Sequence, residues 1–211
     1  MGDGVRRGRI ALATVGGGTM LLALVACGAP PWAQGDGRAT ASPAPSASVV
    51  PVPEPVSNDL SSGSTQKQVT AGAIAATVDY WSTLPMDRWT ATALKPVSIS
   101  MVTTVTPDDG QKVYLQRATM TAVPGNASQS FSPLAPQTDQ GNPPGYLVLS
   151  PYSYSQTFNV GEVPADATFV TMQFTYEFLL QTTPTSSEFA KQTASDTITV
   201  AITRDAASPA G

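Results

Sequence analysis

Apolar and polar residues alternate with a period of two along the C-terminal two thirds of the chain. Over 169–180, Val170, Met172, Phe174, Tyr176, Phe178 and Leu180 fall on one side and Thr171, Gln173, Thr175 and Glu177 on the other, as in a strand buried on one face. The stretch 196–203 repeats the pattern, with Ile198, Val200 and Ile202 against Thr197, Thr199 and Thr203. Weaker alternation predicts strands at 68–80, 97–106, 112–123, 145–150 and 153–160, separated by turn sequences at 107–110, 124–126, 141–145 and 163–166. No window carries a helical stripe. Short strands with one polar face each and proline-rich turns predict an all-β fold, an antiparallel β-sandwich, Ig-like or similar, over residues 67–205, with 206–211 as a disordered tail.

The pattern is absent upstream. Residues 10–26 form an apolar run that follows Arg6, Arg7 and Arg9 and is interrupted by Gly16, Gly17 and Gly18. Its length falls short of the ~20 residues of a membrane-spanning helix, and a basic start before an apolar middle is the layout of a secretory signal. Residues 27–66 are dominated by proline, alanine and serine, as in "ASPAPSAS" and "PVPEPV". Too few apolar groups are present to offset chain entropy, so this stretch is expected to be a disordered linker with a polyproline II bias. It would reach roughly 35 Å as a coil and up to ~120 Å as a rod.

At the junction stands Leu24-Val25-Ala26-Cys27, containing the single cysteine of the 211-residue chain. It resembles the lipobox of bacterial lipoproteins, with a branched apolar residue three before the cysteine and a small one immediately before it. The resemblance covers residues 1–28. It implies that Cys27 receives a diacylglycerol thioether, that 1–26 is removed as a signal peptide, and that the protein is held by lipid on the extracytoplasmic side of the cell membrane. Two acyl chains meet the requirement for stable anchoring, and alkylation protects a thiol that oxidising surroundings would otherwise attack. "RRGRI" has the paired arginines of a twin-arginine signal, but Gly8 and Arg9 depart from it, and ordinary secretion is preferred.

Charge and composition exclude several functions. The chain has 11 basic and 15 acidic residues and no histidine. Without Arg6, Arg7, Arg9 and Asp3, which go with the signal, 8 basic and 14 acidic residues remain, a net charge of −6. Nucleic acid is therefore not an expected partner. Lack of histidine removes Ser-His-Asp and Cys-His chemistry and the histidine-containing zinc sites. No cofactor or metal is expected: Asp108 and Asp109 in "PDDG" read as a tight turn, too poor in oxygen ligands for calcium. Asn126-Ala127-Ser128 fits a glycosylation sequon and reads as coincidence in a bacterial lipoprotein.

Two aromatic clusters remain as candidate contact surfaces. "DYWSTLPMDRW" brings Tyr80, Trp81 and Trp89 together with Asp87 and Arg88, the residue types of a sugar platform, in which C–H faces lie on rings and hydroxyls meet charged groups. "GNPPGYLVLSPYSYSQTF" adds Tyr146, Tyr152 and Tyr154. The alternative for both clusters is core packing. The expected function is a non-catalytic, lipid-anchored module that binds cell-wall glycan or another exported protein. The alternative is a carboxylate-dependent, glycosidase-like hydrolase using Asp79 and Asp87. It is disfavoured by the scattered acids and the lack of a nucleophile motif such as G-x-S-x-G.

Overall fold

The computed structural model describes residues 56–204. The expected signal peptide, Leu24, Val25, Ala26, Cys27, most of the expected linker and the expected tail lie outside the described residues. Within them the chain is all β apart from one short 3-10 turn at Met86–Arg88. Nine strands follow in order: β1 Ser64–Ala71, β2 Ile74–Trp81, β3 Lys95–Val105, β4 Val113–Gly125, β5 Gln137–Gln140, β6 Tyr146–Leu147, β7 Tyr154–Val160, β8 Phe169–Gln181 and β9 Phe189–Ala201. One antiparallel sheet runs β1-β2-β3-β7. The other runs β5-β4-β8-β9, with β6 also paired to β4.

The two sheets pack through their inward residues. Alternation in β8 buries Val170, Met172, Phe174, Tyr176 and Phe178, and β9 buries Ile198 and Val200, as the period-two reading requires. Phe174 sits at the centre, with ring centroids 5.1 Å from Tyr80 and 6.0 Å from Phe158. Full burial of one such ring contributes roughly 1.5–3 kcal/mol.

Several boundaries differ from the sequence reading, each for a local reason. The stretch 68–80 is two strands, not one, because Ala71 pairs with Ile74 across a two-residue turn whose first residue, Gly72, has φ +57°. A side chain is strained there. The folded part also begins before residue 67. β1 starts at Ser64, Leu60 is fully buried, and the Asp59 amide donates to the Thr199 carbonyl at 2.8 Å. β9 reaches back to Phe189, where Gln192 and the small Ala194 take inward positions and blur the alternation. β5, with the sequence QTDQ, gives no apolar signal, since it is an edge strand.

The stretch 145–150 is less a strand than a strap across one end of the sandwich. Tyr146–Leu147 pair with β4, while Val148 and Ser150 bond to Thr103 of β3, so the segment joins both sheets. Thr103 is fully buried, and its hydroxyl donates to the Val148 carbonyl at 3.0 Å. The strap crosses β4 at an irregularity between Leu115 and Arg117. Only glycine fits there: a Cβ on Gly145, which has φ +131°, would stand 2.4 Å from the Leu115 carbonyl oxygen.

Polar side chains that point inward close both open sides between the sheets, a device that also blunts exposed strand edges. Between β1 and β9, Lys67 donates to the Thr197 carbonyl at 2.5 Å and stands 3.8 Å from Asp59 and 3.9 Å from Asp196. Between β5 and β7, the Gln137 amide pairs with both backbone groups of Asn159.

Candidate functional site

Strand parity divides the first aromatic cluster. Tyr80 and Trp81 are neighbours on β2, so one must face the core and the other the solvent. Tyr80 is fully buried. Its hydroxyl donates to Asp196 Oδ2 at 2.7 Å and lies 3.0 Å from the Tyr176 hydroxyl. Burial, with Tyr176 and Asp196 adding to it, pushes the Tyr80 hydroxyl far above the usual tyrosine range. Burial raises Tyr176 as well. Trp89 follows the 3-10 turn and is also fully buried. Its indole donates to the Leu84 carbonyl at 3.2 Å, and its own carbonyl accepts from Thr203 at 2.8 Å. Tyr80 and Trp89 are therefore core residues rather than contact residues.

The rest of that cluster stays outside. Trp81 is half-buried on the outer face of β2, and Asp87 and Arg88 are exposed on the 3-10 turn at the same end of the sandwich. Asp79 shares the outer face with Trp81 and accepts a hydrogen bond from Gln66 Nε2 at 2.8 Å.

The second cluster is also divided, by place rather than by parity: Tyr146 is on β6, Tyr152 in the loop and Tyr154 on β7. Tyr154 is 4% exposed, Tyr146 37% and Tyr152 57%. The Tyr154 hydroxyl donates to Asp139 Oδ2 at 2.8 Å and the Tyr146 hydroxyl to Asp139 Oδ1 at 3.3 Å, with the two rings 5.1 Å apart. Burial, then the carboxylate, pushes the Tyr154 hydroxyl well above its usual range, and the same causes raise Tyr146. Tyr154 is thus part of the β5–β7 closure and is corrected as a contact residue. Tyr152 remains the exposed aromatic of that loop.

Sequence reasoning missed Asp139, Leu94 and Lys95. Lys95 is fully buried, and its ammonium donates to the carbonyls of Thr90 at 3.0 Å, Ala91 at 3.5 Å and Ala93 at 2.6 Å. Burial lowers its pKa, with Glu162 opposing. The three carbonyls fix the loop that carries Leu94, which is 65% exposed. A signal for Lys95 was present, since it shares parity with Val97, Ile99 and Met101. By the same reading, Asp196 shares the inward parity of Ile198 and Val200.

The minor motifs resolve into turn chemistry. In 107–110, the Gly110 amide donates to Asp108 Oδ1 at 3.0 Å and the Asp109 amide to Gln111 Oε1 at 2.7 Å. Asn126 Oδ1 accepts from the Ser128 amide, the Ser128 hydroxyl and the Gln129 amide, each at 3.0 Å, and its Nδ2 donates to the Asp166 carbonyl. The sequon asparagine therefore serves as a turn clamp. It borders an open groove of about 610 Å³ whose lining includes Val56, Gln129, Thr168 and Arg204 but neither Asp79 nor Asp87. Among the described residues, no three acidic or cysteine side chains gather in a way that could hold a metal ion. No protein-family profile matches the chain, and no curated protein matches it.

Proposed function

We propose that the protein is a lipid-anchored, non-catalytic binding module that presents its β-sandwich to cell-wall glycan or to another exported protein on the extracytoplasmic side of the membrane. The observation that carries this reading is the fate of the polar aromatics. The hydroxyls of Tyr80 and Tyr154 and the indole N–H of Trp89 are spent inside the fold. Of the candidate residues, Trp81, Tyr152, Asp87 and Arg88 reach solvent, a set suited to contact.

Catalysis by carboxylates would need one acid held protonated and a second placed across the scissile bond. Asp79 instead accepts a hydrogen bond from Gln66 on an open sheet face, and Asp87 lies on a solvent-exposed turn. The binding reading is tested by incubating residues 27–211 carrying Cys27→Ser, a soluble form without the apolar segment, with intact cells. Retention on the cell surface is expected, and its absence would overturn the reading. The anchor has its own test: Cys27→Ser should move the protein from the detergent phase to the medium or leave the precursor uncut, and unchanged detergent partitioning would refute lipidation.

A further inference from the structure

The two outer faces of the sandwich differ in charge. On the β5-β4-β8-β9 sheet, outward Arg117, Glu177 and Lys191 form an ion cluster, with Lys191 Nζ 2.8 Å and Arg117 Nη1 3.6 Å from the Glu177 carboxylate. On the β1-β2-β3-β7 sheet, the register brings outward positions into rows. Among these outward strand positions a single side chain, Asp79, is charged. The others are mostly hydroxyls and carboxamides, Gln66, Gln68, Thr77, Ser98, Ser100 and Thr157 among them.

One row runs Ser64, Trp81, Ser98, Thr157 across all four strands. Ser98 points outward yet is 5% exposed. Beside it Trp81, half-buried, is the one aromatic ring among these outward strand positions. The surrounding polar groups are fixed in place. Ser98 and Thr157 hydroxyls are 2.8 Å apart, the Ser155 hydroxyl donates to the Ile99 carbonyl at 3.1 Å, and Gln66 holds Asp79.

From this geometry we infer that the β1-β2-β3-β7 face binds a neutral polysaccharide, with Trp81 as the platform for a sugar ring. The inference rests on the binding-module reading and names its ligand class. An acidic polymer would find no cation among the outward strand positions and would meet Asp79. A protein partner would call for a desolvated aromatic or apolar centre, whereas this face has one aromatic ring among hydroxyls. A polyol matches both features: its C–H surface lies on the indole, and its hydroxyls exchange bonds with the fixed Ser, Thr and Gln side chains.

The test uses residues 27–211 carrying Cys27→Ser, with three materials: isolated walls, walls stripped of protein by protease, and wall polysaccharide separated into neutral and acidic fractions. Cosedimentation with stripped walls and with the neutral fraction is expected, nearly independent of salt because no charge pairing is involved. Trp81→Ala should reduce it tenfold or more. Ser100→Lys, which adds a cation on the same face without touching the core, should also reduce it, while Gln173→Ala, on the outer face of the other sheet, should not. Thermal melts confirm that each variant is folded.

Binding to the acidic fraction that salt abolishes, or neutral binding unchanged in both Trp81→Ala and Ser100→Lys, would overturn the inference. Retention on untreated walls that protease stripping removes would overturn it too, while leaving the binding-module reading intact. No retention on any material would sink both.

Discussion

The two aromatic clusters are each split between core and surface, but the two halves connect differently. In the first, Tyr80 and Trp89 turn inward and find their partners in Asp196, Tyr176 and the Leu84 carbonyl, none of which touches the exposed Trp81 through a hydrogen bond. In the second, buried Tyr154 and partly exposed Tyr146, which stands opposite Leu115 at the sheet edge, share one carboxylate, that of Asp139. The first cluster is insulated, with a core half and a surface half back to back across a strand. The second is coupled, because the residue that closes the sandwich edge also orients a surface ring. Exposed aromatics near each other in sequence therefore need not belong to one site. A ligand at Trp81 can be gained or lost without disturbing the core, whereas a change at Tyr146 reaches into it.

The largest expected effect separates the two tryptophans. Trp89→Ala should destabilise the domain by about 3–5 kcal/mol, the cost of an emptied aromatic site in a packed core. Trp81→Ala should cost less than about 1 kcal/mol, because its ring is only half-buried, while still weakening polysaccharide binding. Chemical denaturation of the two variants checks this directly. Equal losses would mean that Trp81 is part of the core and that the first cluster is not insulated.

Next in size is the response to alkaline pH. The hydroxyls of Tyr80, Tyr154 and Tyr176 are all raised, first of all by burial. An unfolded tyrosine ionises near about pH 10, so above that value the unfolded chain gives up protons that the folded one keeps. Their contribution to stability is whole below about pH 10 and falls as pH rises beyond it. These three phenols should ionise together with unfolding rather than before it, as followed by tyrosinate absorbance and circular dichroism in one titration. Lys95 acts in the opposite sense. Its folded pKa is lowered by burial, so just below the usual lysine value of about 10.4 the unfolded chain binds more protons, and stability gains as pH rises through that window. Lys95→Met should remove that gain. Early, separate ionisation of the three phenols would show that their burial is not maintained.

How much of this was legible in the residues follows from what period-two alternation can and cannot carry. β8 and the second half of β9 were readable because large apolar residues fill every inward position from Val170 to Phe178 and from Ile198 to Val200. The first half of β9 was not, because near the edge the inward positions narrow to Ala190, Gln192 and Ala194. β5 left no trace because an edge strand of Gln, Thr and Asp is polar on both faces. The hairpin at Gly72 was hidden by apolar residues on both sides of a turn of two residues. For the site, parity alone could have assigned Tyr80 to the core and Trp81 to the surface once β2 was placed. It could not find the shared use of Asp139, since that depends on β5 meeting β7 across the open side of the sandwich, a contact between edges distant in sequence.

The smallest expected effect tests insulation against coupling most directly, through two double-mutant cycles. Tyr146→Phe and Tyr154→Phe each remove one donor to Asp139, and the loss of either leaves the carboxylate to the other. Residues in one hydrogen-bond network show interaction energies of about 0.5–3 kcal/mol, while independent sites add to within about 0.5 kcal/mol. Because the Tyr146 bond is long, at 3.3 Å, and partly exposed to water, its coupling to Tyr154 should fall at the lower end, about 0.5–1 kcal/mol. Trp81→Ala and Tyr80→Phe change adjacent residues whose side chains lie on opposite faces of β2, and their effects on stability should add to within about 0.5 kcal/mol despite their nearness. Additivity in the first cycle would dissolve the shared role of Asp139. A sizeable interaction in the second would show that the face carrying Trp81 senses the core after all, so that binding there would alter the stability of the Tyr80 network.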